Sequence, residues 1–200
     1  MKNLNKKVLV IIAIISIIVS SNSRLNAQDD QKQAINVCAI AIPVMNMYVV
    51  NYEYLYQNRH GLAARLEYAP NMKGADTKGV ALAAVLNYRW HFSPKLENFF
   101  VGLYARYRYV YGSGTAGKSN YDFKVPELNS GINGGYRWVS KMGINIVLSA
   151  GYGYSFVKEN LTPSNSDVLS TFQAFKKANS TNEVLLNAPF YGEVSIGYAF

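Results

Sequence analysis

The chain contains few of the residue types from which most catalytic and metal sites are built. Of its 200 residues, one is cysteine, Cys38, and two are histidine, His60 and His91. A single cysteine cannot form an internal disulfide, so the fold must hold without one. After residue 27 no stretch of 18 residues is apolar throughout, which excludes a transmembrane helix from that part of the chain. Sixteen tyrosines and fifteen glycines with only six prolines suit aromatic-rich β-strands instead.

Half of the net basic charge lies at the N-terminus. The formal net charge of the whole chain is +8, and residues 1–27 hold three Lys, one Arg and no acidic residue. Without that segment sixteen basic and twelve acidic residues remain, which is a net charge of +4. This charge gives no strong argument for a nucleic-acid partner, and we expect none.

The first 27 residues have the three-part layout of a secretory signal peptide. Lys2, Lys6 and Lys7 precede an apolar run from Val8 to about Val19, and small and polar residues follow. The alternative is an N-terminal membrane anchor, but a spanning helix needs about 20 apolar residues. The pattern therefore predicts a signal peptide over 1–27, cleaved after Ala27, and a single mature domain over 28–200.

Apolar residues alternate with small or polar ones through most of the mature chain. A two-residue period is typical of a β-strand whose two faces meet different environments. Seven clear segments begin near Tyr48, Leu62, Val80, Phe99, Leu128, Ile144 and Phe190. A weaker first segment, from about Ala34 to Ile42, brings the number of predicted strands to eight.

The charged residues of these segments all fall on the face opposite the apolar one. They are Glu53, Arg65, Glu67, Arg89, Arg106, Arg108, Glu127, Arg137 and Glu193. A water-soluble barrel would show the reverse arrangement, whereas a charge that faces lipid costs about 2–4 kcal/mol at the bilayer midplane. The sequence therefore predicts an all-β fold, an eight-stranded antiparallel transmembrane β-barrel in an up-and-down meander.

Aromatic residues and loop lengths predict which end of the barrel faces outward. With a periplasmic N-terminus, Tyr56, Trp90, Phe99, Trp138, Tyr198 and Phe200 form an inner belt. The outer belt is Tyr48, Tyr68, Tyr109, Tyr111, Tyr154, Phe156 and Phe190. Short turns lie at 57–61, 93–97 and 140–143, whereas 112–126 and 157–189 are predicted as long extracellular loops and 70–79 as an intermediate one.

The 157–189 segment carries helical periodicity from Ser166 to Ala178. Leu169, Phe172 and Phe175 would share one stripe of that helix. The stripe predicts either packing over the barrel mouth or contact with a partner or lipid.

The nine inward charges comprise five Arg and four Glu, and two interpretations of the lumen follow. An eight-stranded barrel is just wide enough to be filled by side chains, which favours a salt-bridged plug. The alternative uses the Arg excess, for example Arg89, Arg106 and Arg108, in a narrow anion-preferring channel.

An enzyme is not expected: His60 and His91 map to the periplasmic end, and His91 is interpreted as a rim or capping residue. The inner face suggests no apolar slot for a lipid substrate, and we expect no metal and no cofactor.

Two sets of residues carry a family resemblance. Ile196, Tyr198 and Phe200 resemble the C-terminal assembly signal of bacterial outer-membrane proteins, and the whole pattern looks like the small OmpA/OmpX-type barrels. The segments 48–54 and 61–68 are similar to a bacterial family of small outer-membrane barrels of unknown function. The resemblance implies a bacterial outer-membrane location, contact with its lipid, and assembly machinery that recognises the C-terminal strand.

Two classes of function remain open at this point. The first is a structural or surface-interaction protein whose segments 112–126 and 157–189 meet a partner. The second is a narrow channel or transporter for a small solute or an apolar ligand.

Overall fold

The computed structural model describes residues 31–38, 41, 46–74, 76–180 and 190–200. The predicted signal peptide, 1–27, lies outside these residues. Among the described residues no helix is long and apolar enough to cross a membrane. The strands are β1 Gln33–Val37, β2 Tyr48–Tyr56, β3 His60–Gly74, β4 Thr77–His91, β5 Asn98–Ala116, β6 Ser119–Val139, β7 Ile144–Val157, β8 Asn160–Thr162 and β9 Phe190–Ala199. Helix α1 is Ser166–Ser180.

Eight of the strands form a closed antiparallel barrel. Strands β1 to β7 pair in chain order, each of β1 to β6 with the next, and β9 pairs with both β7 and β1. The last pairing joins Ala34 to Ala199 and Val37 to Ile196. The Phe200 carbonyl accepts hydrogen bonds from the backbone N–H of Lys32 (3.1 Å) and of Gln33 (2.9 Å). The predicted eight-stranded meander, closed by its first and last strands, is confirmed.

The predicted alternation decides which side chains face outward. Leu66, Leu86 and Ile132 keep 67%, 63% and 64% of their surface exposed. On each of these strands, the residues that alternate with the outward ones point into the barrel and are mostly buried. The outer surface of the barrel is therefore apolar, and its interior holds the charges.

The segment 112–126 was predicted as a long loop, and this is wrong. Strand β5 continues to Ala116 and β6 restarts at Ser119, so the connection is the turn Gly117-Lys118. Gly117 has a φ of +60°, which a glycine adopts without steric cost. The inward residues Tyr121 and Phe123 are 2% and 1% exposed, so the hairpin is held by packing as well as by pairing. The strand alternation is hard to see in the sequence, because the residues between the buried positions are Gly, Ser, Asn, Asp and Lys, which are typical of loops.

The intermediate loop predicted over 70–79 is likewise mostly strand. Strand β3 runs to Gly74 and β4 begins at Thr77, with a register shift between Ala69 and Met72. Pro70 lies at this shift, where a residue without an N–H does not interrupt a regular ladder.

Parts of β3 to β6 extend beyond the rest of the barrel. Strand β2 begins at Tyr48, which pairs with Tyr68, and β7 ends at Val157, which pairs with Glu127. Beyond these pairs the four strands continue together, and β8 joins the edge of β6. We call this extension the projecting sheet: residues 70–74, 77–80, 111–116 and 119–126.

Helix α1 packs on the inner side of the projecting sheet. Its first turn is capped by Asn165, whose Oδ1 accepts a hydrogen bond from the Val168 N–H at 2.9 Å. Phe172 and Phe175 are fully buried, with ring centroids 5.0 and 5.2 Å from the ring of Phe123. The predicted helix and its packing over the barrel mouth are confirmed.

The predicted stripe of this helix is wrong at one position. Leu169 is 47% exposed, and the buried stripe is Val168, Phe172, Phe175 and Asn179. The side-chain Nδ2 of Asn179 donates to the Lys73 carbonyl at 3.3 Å, so it covers the edge of β3 that β2 leaves open. An uncovered edge would expose unpaired backbone groups to another strand.

Candidate functional site in the barrel interior

The barrel interior has three layers along its axis. The turn end is closed by a small apolar group of Leu55, Leu96 and Val139 with Ala34 and Ala199. The middle contains the inward charges, and the outer end is apolar again under helix α1. The middle layer gathers the buried Arg and Glu side chains of the described barrel, so it is the candidate site.

Glu53 is the centre of the first cluster in this layer. One carboxylate oxygen accepts from Arg89 Nη1 at 2.6 Å and also from Arg137. The other oxygen lies 2.8 Å from His91 Nε2. We call Glu53, Arg89, His91, Arg137 and Glu193 the Glu53 cluster. Its side chains come from β2, β4, β6 and β9, so the cluster crosses the lumen.

Glu193 holds the far side of the Glu53 cluster. Arg89 Nη2 donates to it at 2.7 Å, so a single guanidinium joins the two carboxylates. Asn51 Nδ2 and Ser195 Oγ donate to its other oxygen at 2.8 and 2.7 Å. Two Arg and two Glu give this cluster balanced formal charge, and hydrogen bonds satisfy the carboxylates, as buried charges require.

The second cluster lies nearer the outer end. Arg65 Nε is 2.8 Å from Glu67, and Arg106 and Arg108 each lie 3.6 Å from Glu127. We call these five residues the Glu127 cluster. Ser155 Oγ donates to Glu127 at 3.0 Å and accepts from Asn129 Nδ2 at 2.6 Å. Three Arg against two Glu leave one formal positive charge, and the Arg excess of the lumen lies here.

A pair of stacked tyrosines lies beside the two clusters. The rings of Tyr104 and Tyr191 are 4.6 Å apart, and the guanidinium of Arg65 lies 5.1 Å from the Tyr191 ring. Tyr104 precedes Arg106 on the inward face of β5, and Tyr191 precedes Glu193 on that of β9. The aromatic pair fills the lumen where β5 and β9 face each other.

A glycine on β3 makes room for the Glu53 cluster. A Cβ added at Gly61 would lie 2.6 Å from Glu53 Oε1 and 3.0 Å from His91 Nε2. Any larger residue must therefore displace a carboxylate that three partners hold in place. The close approach explains why a residue without a side chain occupies this position.

Replacing Gly61 by alanine is expected to destabilise the barrel by about 1–3 kcal/mol, the usual cost of overpacking. The measurement is urea unfolding of the folded barrel in lipid. The matched control is Gly192→Ala, because a Cβ there meets no atom within 4 Å. Equal stability of the two variants would contradict the tight packing of the Glu53 cluster.

The outer layer of the interior is apolar, whereas the sequence pattern suggested an inner face that is polar and rich in Arg. Val110, Val125 and Phe123 point inward above the Glu127 cluster and are at most 1% exposed. Phe172 and Phe175 of α1 fill the space between them. An apolar chamber is therefore present, and the protein's own helix occupies it. In the sequence, the charged residues of the middle layer made the whole inner face look polar.

The structure places all nine predicted lumen residues in the interior, with exposures of 6% or less. Ile196 lies on the outer surface of β9, and the rings of Tyr198 and Phe200 stack 6.4 Å apart. No contact in the structure bears on recognition of these three residues by assembly machinery, which stays a prediction.

Several interior residues were missed from the sequence. His91 was interpreted as a rim residue, but it is fully buried against Glu53, so that interpretation is wrong. Asn36 Nδ2 donates to Asn145 Oδ1 at 2.6 Å beside the Glu53 cluster. The available signal was the alternation itself, because each of these residues continues the inward face of its strand. His60 instead lies at the β2–β3 turn, with Nδ1 2.6 Å from the Tyr88 hydroxyl.

Within the described residues, no three His, Cys, Asp or Glu side chains lie together as the ligands of a metal ion would. The chemistry that the interior offers is ion pairing and hydrogen bonding between fixed side chains. Because the ion pairs link strands that are distant in sequence, the network ties the wall of the barrel together.

Comparison with known families agrees with the barrel of unknown function suggested by the sequence. The family described as "Protein of unknown function (DUF3575)" matches residues 9–183. The chain belongs to this family. None of the curated proteins compared with the chain matches it. For this DUF3575 protein, function must therefore be argued from the barrel itself.

Proposed function

We propose that this protein is an integral outer-membrane barrel of the OmpA/OmpX type, with a plugged lumen and a projecting sheet that meets a surface partner. Its proposed location is the bacterial outer membrane, reached with a cleaved signal peptide. The observation that carries the proposal is the reversal of polarity, with charges inside and large apolar side chains outside. In water such a surface would be an extensive apolar patch, whereas lipid is its natural solvent.

The length of the apolar surface supports this placement. On β4 the outward residues are apolar from Trp90 to Val80, and Lys78 is the first charged one. A membrane-spanning strand needs about 9–11 residues, which fits this interval. Aromatic side chains gather near both ends of the band, as in the Tyr48–Tyr68 and Phe99–Tyr136 pairs. Such residues are expected at membrane interfaces.

The ion network supports a plug rather than a pore. The Glu53 cluster spans the lumen with buried, mutually bonded side chains, and α1 fills the outer end. A charged solute would have to displace these groups from their partners. The narrow channel remains the second candidate, supported by the unbalanced Arg of the Glu127 cluster.

Planar-bilayer recordings separate these two candidates. The purified barrel is expected to give no large, stable conductance steps, because its lumen is filled by paired side chains. Reproducible anion-selective steps would overturn the plug and favour the channel. A variant with Arg106 and Arg108 both changed to Gln would then show whether the Arg excess sets that selectivity.

We further propose that the function is not enzymatic and needs no cofactor. Both histidines are engaged, His91 by Glu53 and His60 by the Tyr88 hydroxyl. A general base must reach the proton that it abstracts in a bound substrate.

The parts proposed to meet a partner are the β5–β6 hairpin within 112–126 and α1 within 157–189. Strand β9 is the proposed contact with the assembly machinery.

A further inference from the structure

The outer boundary of the apolar band is marked by lysines on three strands. On β4 the outward residue two positions before Val80 is Lys78, and on β6 the outward residue two positions before Pro126 is Lys124. Lys73 lies at the corresponding end of β3. All three are exposed.

Two of these lysines face each other directly. Lys73 and Lys78 are cross-strand partners in the β3–β4 hairpin. Side chains at such positions have Cβ atoms about 5 Å apart, and like charges there are destabilising. Neither lysine forms an ion pair within the part of the chain that the structure describes. Two lysines that repel each other and form no ion pair with the described acidic residues suit an anion from outside the chain.

The surroundings add further cationic and hydrogen-bonding groups. Lys124 pairs with Tyr111, which in turn pairs with Val80 beside Lys78. Lys73 and Lys78 border a groove between the hairpin tips that Asp76, Thr77 and Thr115 also line. Three acidic residues lie nearby. Asp76 is at the tip of the same hairpin, and Asp122 is in the row of Lys78 and two residues from Lys124 on the outward face of β6. Glu159, which is bonded to Lys176, precedes the strand partner of Lys124.

We propose that Lys73, Lys78 and Lys124 form a binding surface for the phosphate groups of anionic lipid headgroups. This inference rests on the proposed membrane location and adds a partner to it. On both β4 and β6 a lysine takes the first outward position beyond the apolar band, at the boundary where headgroups begin. Ammonium groups at such a boundary lie beside lipid phosphate, while their methylene stems cover the last apolar surface. Binding of a soluble acidic partner would not explain why the lysines lie at the end of the apolar band.

The test is native mass spectrometry of the folded chain in neutral detergent, with phosphatidylglycerol or phosphatidylcholine of the same acyl chains added. The unchanged protein is expected to retain phosphatidylglycerol preferentially. Each lysine near an anionic surface contributes about 1 kcal/mol, so Lys73→Gln with Lys78→Gln should weaken phosphatidylglycerol binding roughly thirtyfold. Adding Lys124→Gln should weaken it further. Phosphatidylcholine retention should not change.

The matched control removes two lysines from the opposite end, as Lys95→Gln with Lys141→Gln. Equal loss in the control and in the Lys73/Lys78 variant would overturn the inference, and so would unchanged phosphatidylglycerol binding in the latter. Displacement of the lipid by inorganic phosphate at equal concentration would identify free phosphate as the ligand and would also overturn it.

Unheated and boiled samples of each protein are compared on a gel. A heat shift without lipid selectivity defeats this inference alone, whereas no shift defeats the proposed location.

Discussion

Replacing Glu53 by Gln lowers the free energy of unfolding by about 3–5 kcal/mol, the expected cost of removing one partner from a buried ionic group. Gln keeps the size of the side chain but removes the charge that offsets Arg89 and Arg137. Arg89 retains Glu193, but Arg137 loses its carboxylate. The measurement is reversible urea unfolding of the barrel in lipid, followed by tryptophan fluorescence.

The control for this prediction is Glu159→Gln, which breaks an ion pair with Lys176 at the surface. Exposed pairs of this kind contribute about 0–1 kcal/mol. Combining Glu53→Gln with Arg137→Gln should restore part of the lost stability, because the uncompensated guanidinium is gone. A loss for Glu53→Gln no larger than that of the control would show that the network does not hold the barrel together.

Replacing Phe172 by Ala releases helix α1 from the barrel mouth. The Phe172 ring is fully buried between Phe123 and Phe175, and a Phe→Ala change at such a site costs about 3–5 kcal/mol. At the lower value the fraction of molecules with the helix undocked rises roughly a hundredfold. Limited proteolysis should then cleave within 166–180 while the barrel stays intact.

Leu169→Ala is the matched control, because Leu169 is on the same helix but 47% exposed. Its effect should stay within about 0.5 kcal/mol, as for most surface substitutions. If Phe172→Ala and Leu169→Ala gave the same rate of cleavage, the outer chamber would not be held closed by its aromatic side chains.

Most of the barrel could be predicted because strand alternation is a local signal with a fixed period. Every second residue from Val80 to Trp90 is apolar, and Arg89 lies between them. One face must then meet lipid or core and the other must pair its charges. The first strand was harder to delimit. In the described part of this segment Gln33–Val37 forms the strand, and the predicted end at Ile42 lies outside the described residues.

The outer end was predicted poorly because its strands are covered on one side by a helix that is distant in sequence. Tyr121 and Phe123 are buried in the apolar cluster that includes Phe172 and Phe175 of α1, yet the residues that alternate with them are polar and typical of loops. The same contacts decide which stripe of α1 is buried, since Val168 rather than Leu169 meets the projecting sheet. Contacts across the lumen, such as that between His91 and Glu53, depend on the curvature of the whole barrel. The alternation within a single strand does not predict them.

The proposed location places the apolar outer surface of the closed barrel in the lipid of the outer membrane. Its most direct test is gel migration of the protein extracted from outer-membrane fractions, compared between unheated and boiled samples. A folded barrel keeps its closed, compact form in detergent without heating, so the account predicts two distinct migration positions that merge on boiling. Identical migration of the two samples, or recovery of the protein outside the membrane fraction, would contradict it.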